Sequence, residues 1–140
     1  AGKDLVEFEW RQNHRNFYSC FSLKFYRENN MPLLTGRFPD QSGDEMRESE
    51  TDAFSNPIPW RLTWVQWFEL QNMLAESDLP AYRKPSPNVQ DETDSEIRVI
   101  WRTDDGNEIQ KFSGSHAEAL ETLVLSIAEE AYATSNLETE

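Results

Sequence analysis

Apolar and polar residues alternate in the first third of the chain, and a period of two is typical of strands with one buried face. Val6, Phe8 and Trp10 alternate with charged residues, and the alternation resumes over residues 17–25. A third apolar run covers residues 33–38. The pattern predicts three antiparallel strands in a meander, with Val6, Phe8 and Trp10 on its buried face.

The alternation returns near the other end of the chain. Ile97, Val99 and Trp101 resume the period of two, and residues 109–112 form a further short apolar segment. Asp105-Gly106 lies between them, and this dipeptide favours a two-residue hairpin turn. The sequence therefore predicts a second group of two strands.

A helical period separates the two groups of strands. Thr63 and Gln66 have the spacing of a capping box, and Leu62 with Trp67 has that of a hydrophobic staple. We expect this helix to end near Ser77, ahead of Leu79-Pro80. Its expected inner face consists of the following residues: Trp64, Trp67, Phe68, Gln71, Leu74 and Ala75.

A second helical period closes the chain. Ser115 to Glu118 has capping-box spacing and marks the expected start. Apolar residues then recur every three or four positions and define one buried stripe. These residues are Leu120, Leu123, Val124, Ile127 and Ala131.

The order of elements is βββ-α-ββ-α, which predicts an α+β fold: an antiparallel sheet of about five strands with two helices on one face. A chain of 140 residues has the size of one domain. We expect a single domain over residues 1–140, with a long acidic loop at 39–58 and a proline-containing linker at 79–94. The start at Ala1 is compatible with a removed initiator methionine, tag or signal peptide.

Negative charge is concentrated in two segments. Residues 39–58 carry six acids and one base, and residues 113–140 carry six acids and no base, within a net charge of −13. This charge disfavours direct nucleic-acid binding, which depends on Lys and Arg. It also disfavours anionic membranes, and no apolar run approaches membrane-spanning length.

The sequence contains few residues in patterns typical of catalytic sites, so we expect that the protein is not an enzyme and binds no cofactor. Glycine-rich phosphate loops, paired CxxC motifs and HExxH motifs do not occur. His14 and Cys20 are predicted to lie too far apart along a turn and strand for a nucleophilic pair. His116 is expected to be a surface residue. The single cysteine excludes an internal disulfide and favours a cytoplasmic location.

A metal-dependent module is the alternative interpretation of the acidic loop. Asp40 to Asp44 resembles the opening of an EF-hand loop, but Glu45 replaces the glycine and Thr51 the bidentate glutamate that the motif needs. A carboxylate site within residues 40–52 remains the competing hypothesis, although no metal ligand set is assigned. A charge run is more commonly a solvated surface.

The tryptophan-rich helix is apolar over more than one stripe, so something must cover its second face. Either the acidic loop or another chain does so, and a homodimer through this helix is one alternative. Aromatic residues are enriched at protein interfaces.

The sequence therefore predicts a small acidic binding protein whose partner is basic. Nuclease inhibitors, immunity proteins and antidefence proteins fit this prediction, because carboxylates can occupy the positions of phosphates on a nucleic-acid-binding protein. Glu129 and Glu130 lie near the negative end of the last helix, where the dipole disfavours them. The predicted contact residues are Asp44, Glu45, Glu48, Glu50, Asp52, Trp60, Glu118, Glu121, Glu129 and Glu130.

Overall fold

The computed structural model describes residues 3–13, 20–40, 45–79, 81, 94–113 and 117–138. These residues form seven strands and two helices and confirm the predicted α+β class. The elements are β1 (Asp4–Asn13), β2 (Phe21–Glu28), β3 (Met31–Pro39), β4 (Met46–Glu48), β5 (Trp60–Arg61), α1 (Trp64–Glu76), β6 (Asp94–Thr103), β7 (Gly106–Phe112) and α2 (Glu118–Glu138).

All seven strands belong to one antiparallel sheet. The strand order is β4-β3-β2-β1-β6-β7, and the short β5 also pairs with β3. β1 is therefore a central strand, with β2 on one side and β6 on the other. Both helices bury their apolar residues in the same core, on one face of this sheet.

The predicted alternation holds in the sheet, with one local exception. Phe8 and Trp10 lie fully buried against Val99 and Ile97 of β6. At the start of β1 the register shifts between Leu5 and Glu7. Because a bulge adds one residue to a strand, Leu5 rather than Val6 occupies the next core position.

The β6–β7 turn lies one residue earlier than predicted. Asp104 and Asp105 are the turn residues, and Thr103 pairs with Gly106. Gly106 has a φ of +114°, which a glycine adopts without strain. The prediction placed Gly106 inside the turn, whereas it is the first residue of β7.

The predicted acidic loop contains regular structure, which corrects the assignment of residues 39–58 as loop throughout. β4 pairs with the edge of β3, and β5 pairs with β3 further along. Gly36 on β3 lies very close to the neighbouring strand β2: its φ is +134°, and a Cβ there would lie 2.0 Å from the carbonyl oxygen of Ser22. Its N–H donates to the Ser49 hydroxyl at 2.9 Å, and its carbonyl accepts from the Ser49 N–H at 2.9 Å.

Residues 50–58, here called the acidic hairpin, fold back on themselves. The Ile58 N–H donates to the Glu50 carbonyl at 2.7 Å, and Thr51 and Pro57 form an isolated antiparallel β-bridge. At the tip, the Asp52 carboxylate accepts from the N–H groups of Phe54 and Asn56 at 2.8 and 3.0 Å.

The capping box of α1 is confirmed, but its predicted inner face is partly wrong. Thr63 accepts from the Gln66 N–H at 3.1 Å while the Gln66 side chain accepts from the Thr63 N–H at 2.9 Å. The helix ends with Ser77 as its C-cap, as predicted. Its buried residues are Trp67, Leu70 and Leu74. Trp64 and Phe68, predicted to face inward, are exposed.

The apolar stripe of α2 is largely as predicted. Leu120, Val124, Ile127 and Ala131 are buried, and Leu123 is partly buried against the same core. The capping residues 115 and 116 lie outside the described residues, as does most of the predicted linker at 79–94. None of the described helices has both the length and the hydropathy needed to cross a membrane.

Candidate functional site

A wide depression lies between residues 45–61 and the second half of α2, and we call it the β4–α2 groove. Its volume is about 630 Å³. β4 and the acidic hairpin form one wall, and α2 forms the other. Its lining residues are Glu45, Met46, Arg47, Glu48, Glu50, Ile58, Pro59, Trp60, Arg61, Tyr132 and Ser135.

An aromatic chain connects the groove to the core. Trp60 packs edge-on against Tyr132 with ring centroids 5.9 Å apart, and against Phe38 at 5.8 Å. Trp60 is only 6% exposed. The sequence prediction placed Trp60 among the partner-contacting residues, whereas the structure makes it mainly a packing residue beneath the groove.

Arg47 links the two walls. Its guanidinium lies 4.6 Å from the centre of the Tyr132 ring and donates to the Tyr132 hydroxyl at 3.4 Å. The same guanidinium lies 3.7 Å from a Glu45 carboxylate oxygen and 4.0 Å from those of Asp40 and Glu129. Arg47, the one basic residue in residues 39–58, therefore joins β4 to α2 and neutralises part of the negative charge around it.

Glu129 and Glu130 have internal partners, which the expectation of an unfavourable position against the helix dipole did not include. Glu129 pairs with Arg47, and Glu130 accepts from the Gln66 amide of α1 at 2.7 Å. Neither contact is visible in the sequence of α2, because the partners come from residues more than sixty positions earlier.

Glu48 and Glu50 differ from these acids. Both are exposed, and neither forms an ion pair within the part of the chain that the structure describes. Glu48 is the last residue of the short edge strand β4, and Glu50 begins the acidic hairpin. Their carboxylates are the ones at the groove that are left for an external cation.

Phe54 is a surface residue that the sequence analysis missed. It lies at the tip of the acidic hairpin with 86% of its surface exposed. Asp52, one of the predicted contact residues, fixes this tip: hydrogen bonds from the N–H groups of Asn56 and Phe54 lower the pKa of its carboxyl. The sequence did contain a signal for an exposed ring at this position, because Phe54 is an aromatic residue within an acidic, turn-rich stretch.

The remaining predicted contact residues lie elsewhere. Glu118 and Glu121 are in the first turn of α2, about 16 and 12 Å along the helix from Glu129 at 1.5 Å per residue. Partial burial, and secondarily Glu118, raises the pKa of Glu121. Asp44 lies outside the described residues. The predicted residues that the structure describes therefore lie in residues 45–60, in the first turn of α2 and further along α2.

The described residues contain no group of three or more His, Cys, Asp or Glu side chains placed to hold a metal ion. Within 40–52, Asp40 and Glu45 are engaged by Arg47, while Asp52 caps its own turn. The described geometry gives the metal alternative no ligand set.

Comparisons with known proteins give no family for this chain. A scan against models of protein families, a search of curated proteins and a search of solved structures each return no match.

Proposed function

We propose that this chain is a small acidic, non-enzymatic protein that binds and inhibits a basic protein, such as a nuclease or another nucleic-acid-binding effector. An immunity, inhibitor or antidefence role would fit this activity. A cytoplasmic setting is part of the proposal, because a single cysteine suits a reducing compartment.

One observation carries the proposal: within residues 45–58, strand β4 and the acidic hairpin present two carboxylates without ion pairs among the described residues and one exposed aromatic ring. Among the described residues Glu48 and Glu50 have no ion pair, and Phe54 is held at the end of a hydrogen-bonded hairpin. Aromatic anchors surrounded by polar groups are typical of the energetic centres of interfaces. Preordering of the hairpin also lowers the entropy that binding would otherwise cost.

The charge of the chain supports a basic partner. A net charge of −13 repels phosphate backbones and attracts the basic surface of a protein that binds them. Charge complementarity of this kind accelerates encounter, and the acceleration falls as salt screens it.

The test begins with recovery of a partner from the native host by the tagged full-length chain, followed by association kinetics with the purified partner. Glu48→Lys/Glu50→Lys changes the net charge by +4, and Asp104→Lys/Asp105→Lys in the exposed β6–β7 turn changes it by the same amount. We expect the first variant to lower the association rate at low salt by about tenfold or more, and the turn variant to have a much smaller effect. Phe54→Ser should instead raise the dissociation rate by at least about fivefold, corresponding to a contact of about 1 kcal/mol.

Equal association rates for the two lysine variants would refute a specific binding surface at Glu48 and Glu50. Attraction by the overall negative charge would then account for the association rate. Recovery of a partner without a basic surface, or an association rate independent of salt, would refute the proposal as a whole. A recovered nuclease must also lose its nucleolytic activity when the wild-type chain is added.

A further inference from the structure

The outer face of α1 carries an uncharged, partly aromatic stripe that the fold leaves exposed. Trp64 and Phe68 stack with ring centroids 5.8 Å apart and an interplanar angle of 29°. They are 36% and 47% exposed, and the adjacent Val65 is 68% exposed. Asn72 and Ala75 continue this face at helical spacing and are also exposed. These five residues are called the α1 stripe.

The opposite side of α1 is already occupied by the rest of the molecule, and the exposed residues Glu69 and Glu76 border the stripe beside Val65. Trp67, Leu70 and Leu74 point into the core. On one flank Gln66 donates to Glu130 of α2, and on another Gln71 accepts from the Leu5 N–H of β1 at 3.0 Å. The stripe is therefore a surface additional to those that hold the helix in place.

We propose that the α1 stripe is the contact surface of a homodimer in which the two α1 helices pack antiparallel across a two-fold axis near Phe68. A symmetric contact places each Phe68 against its copy and each Trp64 opposite Asn72 of the second copy. It also brings the residues before the N-terminus of one helix close to the C-terminal turn of the other.

The charges at the two ends of α1 complement each other in this arrangement. Arg61 is exposed three residues before the first helical residue, whereas Glu76 and Asp78 are exposed at the C-terminal end. Antiparallel packing places each Arg61 near Glu76 and Asp78 of the second copy and also aligns the helix dipoles favourably. Parallel packing would bring like charges together at both ends.

The size of the contact sets its strength. A helix of 13 residues is about 20 Å long, so a contact through one helix face is smaller than the roughly 800 Å² per partner of a standard interface. We therefore expect a dissociation constant in the micromolar to millimolar range. Two chains of net charge −13 repel each other, so the dimer should strengthen as salt rises, opposite to the basic-partner contact.

Sedimentation equilibrium of the full chain, from micromolar to millimolar concentration at low and high salt, measures the dimer directly. We expect Trp64→Ser/Phe68→Ser to weaken dimerisation at least about tenfold, and Ile109→Ser, which removes an exposed apolar residue on β7, to leave it unchanged. Arg61→Glu should weaken the dimer, and Arg61→Glu/Glu76→Arg should restore it, since the exchanged charges face each other again.

Tryptophan fluorescence gives a second readout specific to this face. The other four tryptophans are buried, so acrylamide quenching reports mainly Trp64. Quenching should fall as dimer forms at high concentration. A chain that stays monomeric at millimolar concentration in both salts, or a serine double variant that dimerises like wild type, would overturn the proposal. Protection of Trp64 only after addition of a basic partner would assign the stripe to that partner instead and equally overturn the dimer.

Discussion

Trp67 provides the most direct test of the packing described above. Its side chain is fully buried, the guanidinium of Arg27 lies 5.7 Å from its ring, and its indole N–H has no acceptor among the described residues. Trp67→Ala removes the largest side chain that α1 contributes to the core and leaves a cavity. Changes of this kind cost about 3–5 kcal/mol.

Trp67→Phe separates the contribution of the ring from that of the N–H group. Phenylalanine retains most of the buried aromatic surface and removes a donor whose unsatisfied burial costs about 1–3 kcal/mol. The two effects oppose each other, so we expect a net cost of no more than about 1.5 kcal/mol. Alanine should then lower the melting temperature by about 10–20 °C, and phenylalanine by only a few degrees.

Urea unfolding followed by far-ultraviolet circular dichroism measures both variants without relying on tryptophan emission. An alanine variant with an unchanged urea midpoint would contradict the burial of Trp67. A phenylalanine variant as unstable as alanine would show that the indole N–H contributes a hydrogen bond.

Three further changes test separate parts of the structure. Gly36→Ala should cost at least about 2 kcal/mol in urea unfolding, because the new Cβ meets the Ser22 carbonyl and the residue has a positive φ. Replacing residues 41–51 with a Gly-Ser link of equal length should cost more than about 1 kcal/mol, because it removes β4 and its hydrogen bonds to β3 rather than only an unstructured loop. Glu121→Gln should stabilise the protein, relative to wild type, more at pH 7 than at pH 4. The pKa of Glu121 is raised in the folded state, so the wild type loses stability as the pH rises from the ordinary glutamate pKa through the raised one. The uncharged amide removes that loss.

Much of the fold follows from local patterns. Alternation of large apolar residues with mostly polar ones predicted β1, β6 and the described part of β2, and capping chemistry placed the start of α1 at Thr63. Local patterns failed where a tertiary contact decided the outcome. Nothing near β4 encodes its pairing with β3, in which Arg37 pairs with Glu48 and Gly36 exchanges hydrogen bonds with Ser49.

The candidate site was less predictable than the fold because charge is readable in sequence and charge pairing is not. In the sequence, Glu129 and Glu48 are equivalent acidic residues, and neither has an evident ion-pair partner nearby. In the folded chain Arg47 reaches Glu129, whereas Glu48 has no ion pair among the described residues. The outer stripe of α1 was ambiguous for a related reason: Trp64 and Trp67 have compatible helical spacing, and only the position of the core separates the buried ring from the exposed one.

The central position of β1 has a consequence for synthesis of the chain. Its neighbour β2 follows within a few residues, but Asn13 at its end pairs with Asp94 of β6, about 80 residues later. Closing a segment of that length costs about 4 kcal/mol in chain entropy, so we expect the two halves of the sheet to join after each has formed. At translation rates of about 5–20 residues per second, β6 emerges roughly 4–16 s after β1. For those seconds β1 is an open edge bearing Phe8 and Trp10, and the nascent chain is most vulnerable to pairing with a neighbouring copy.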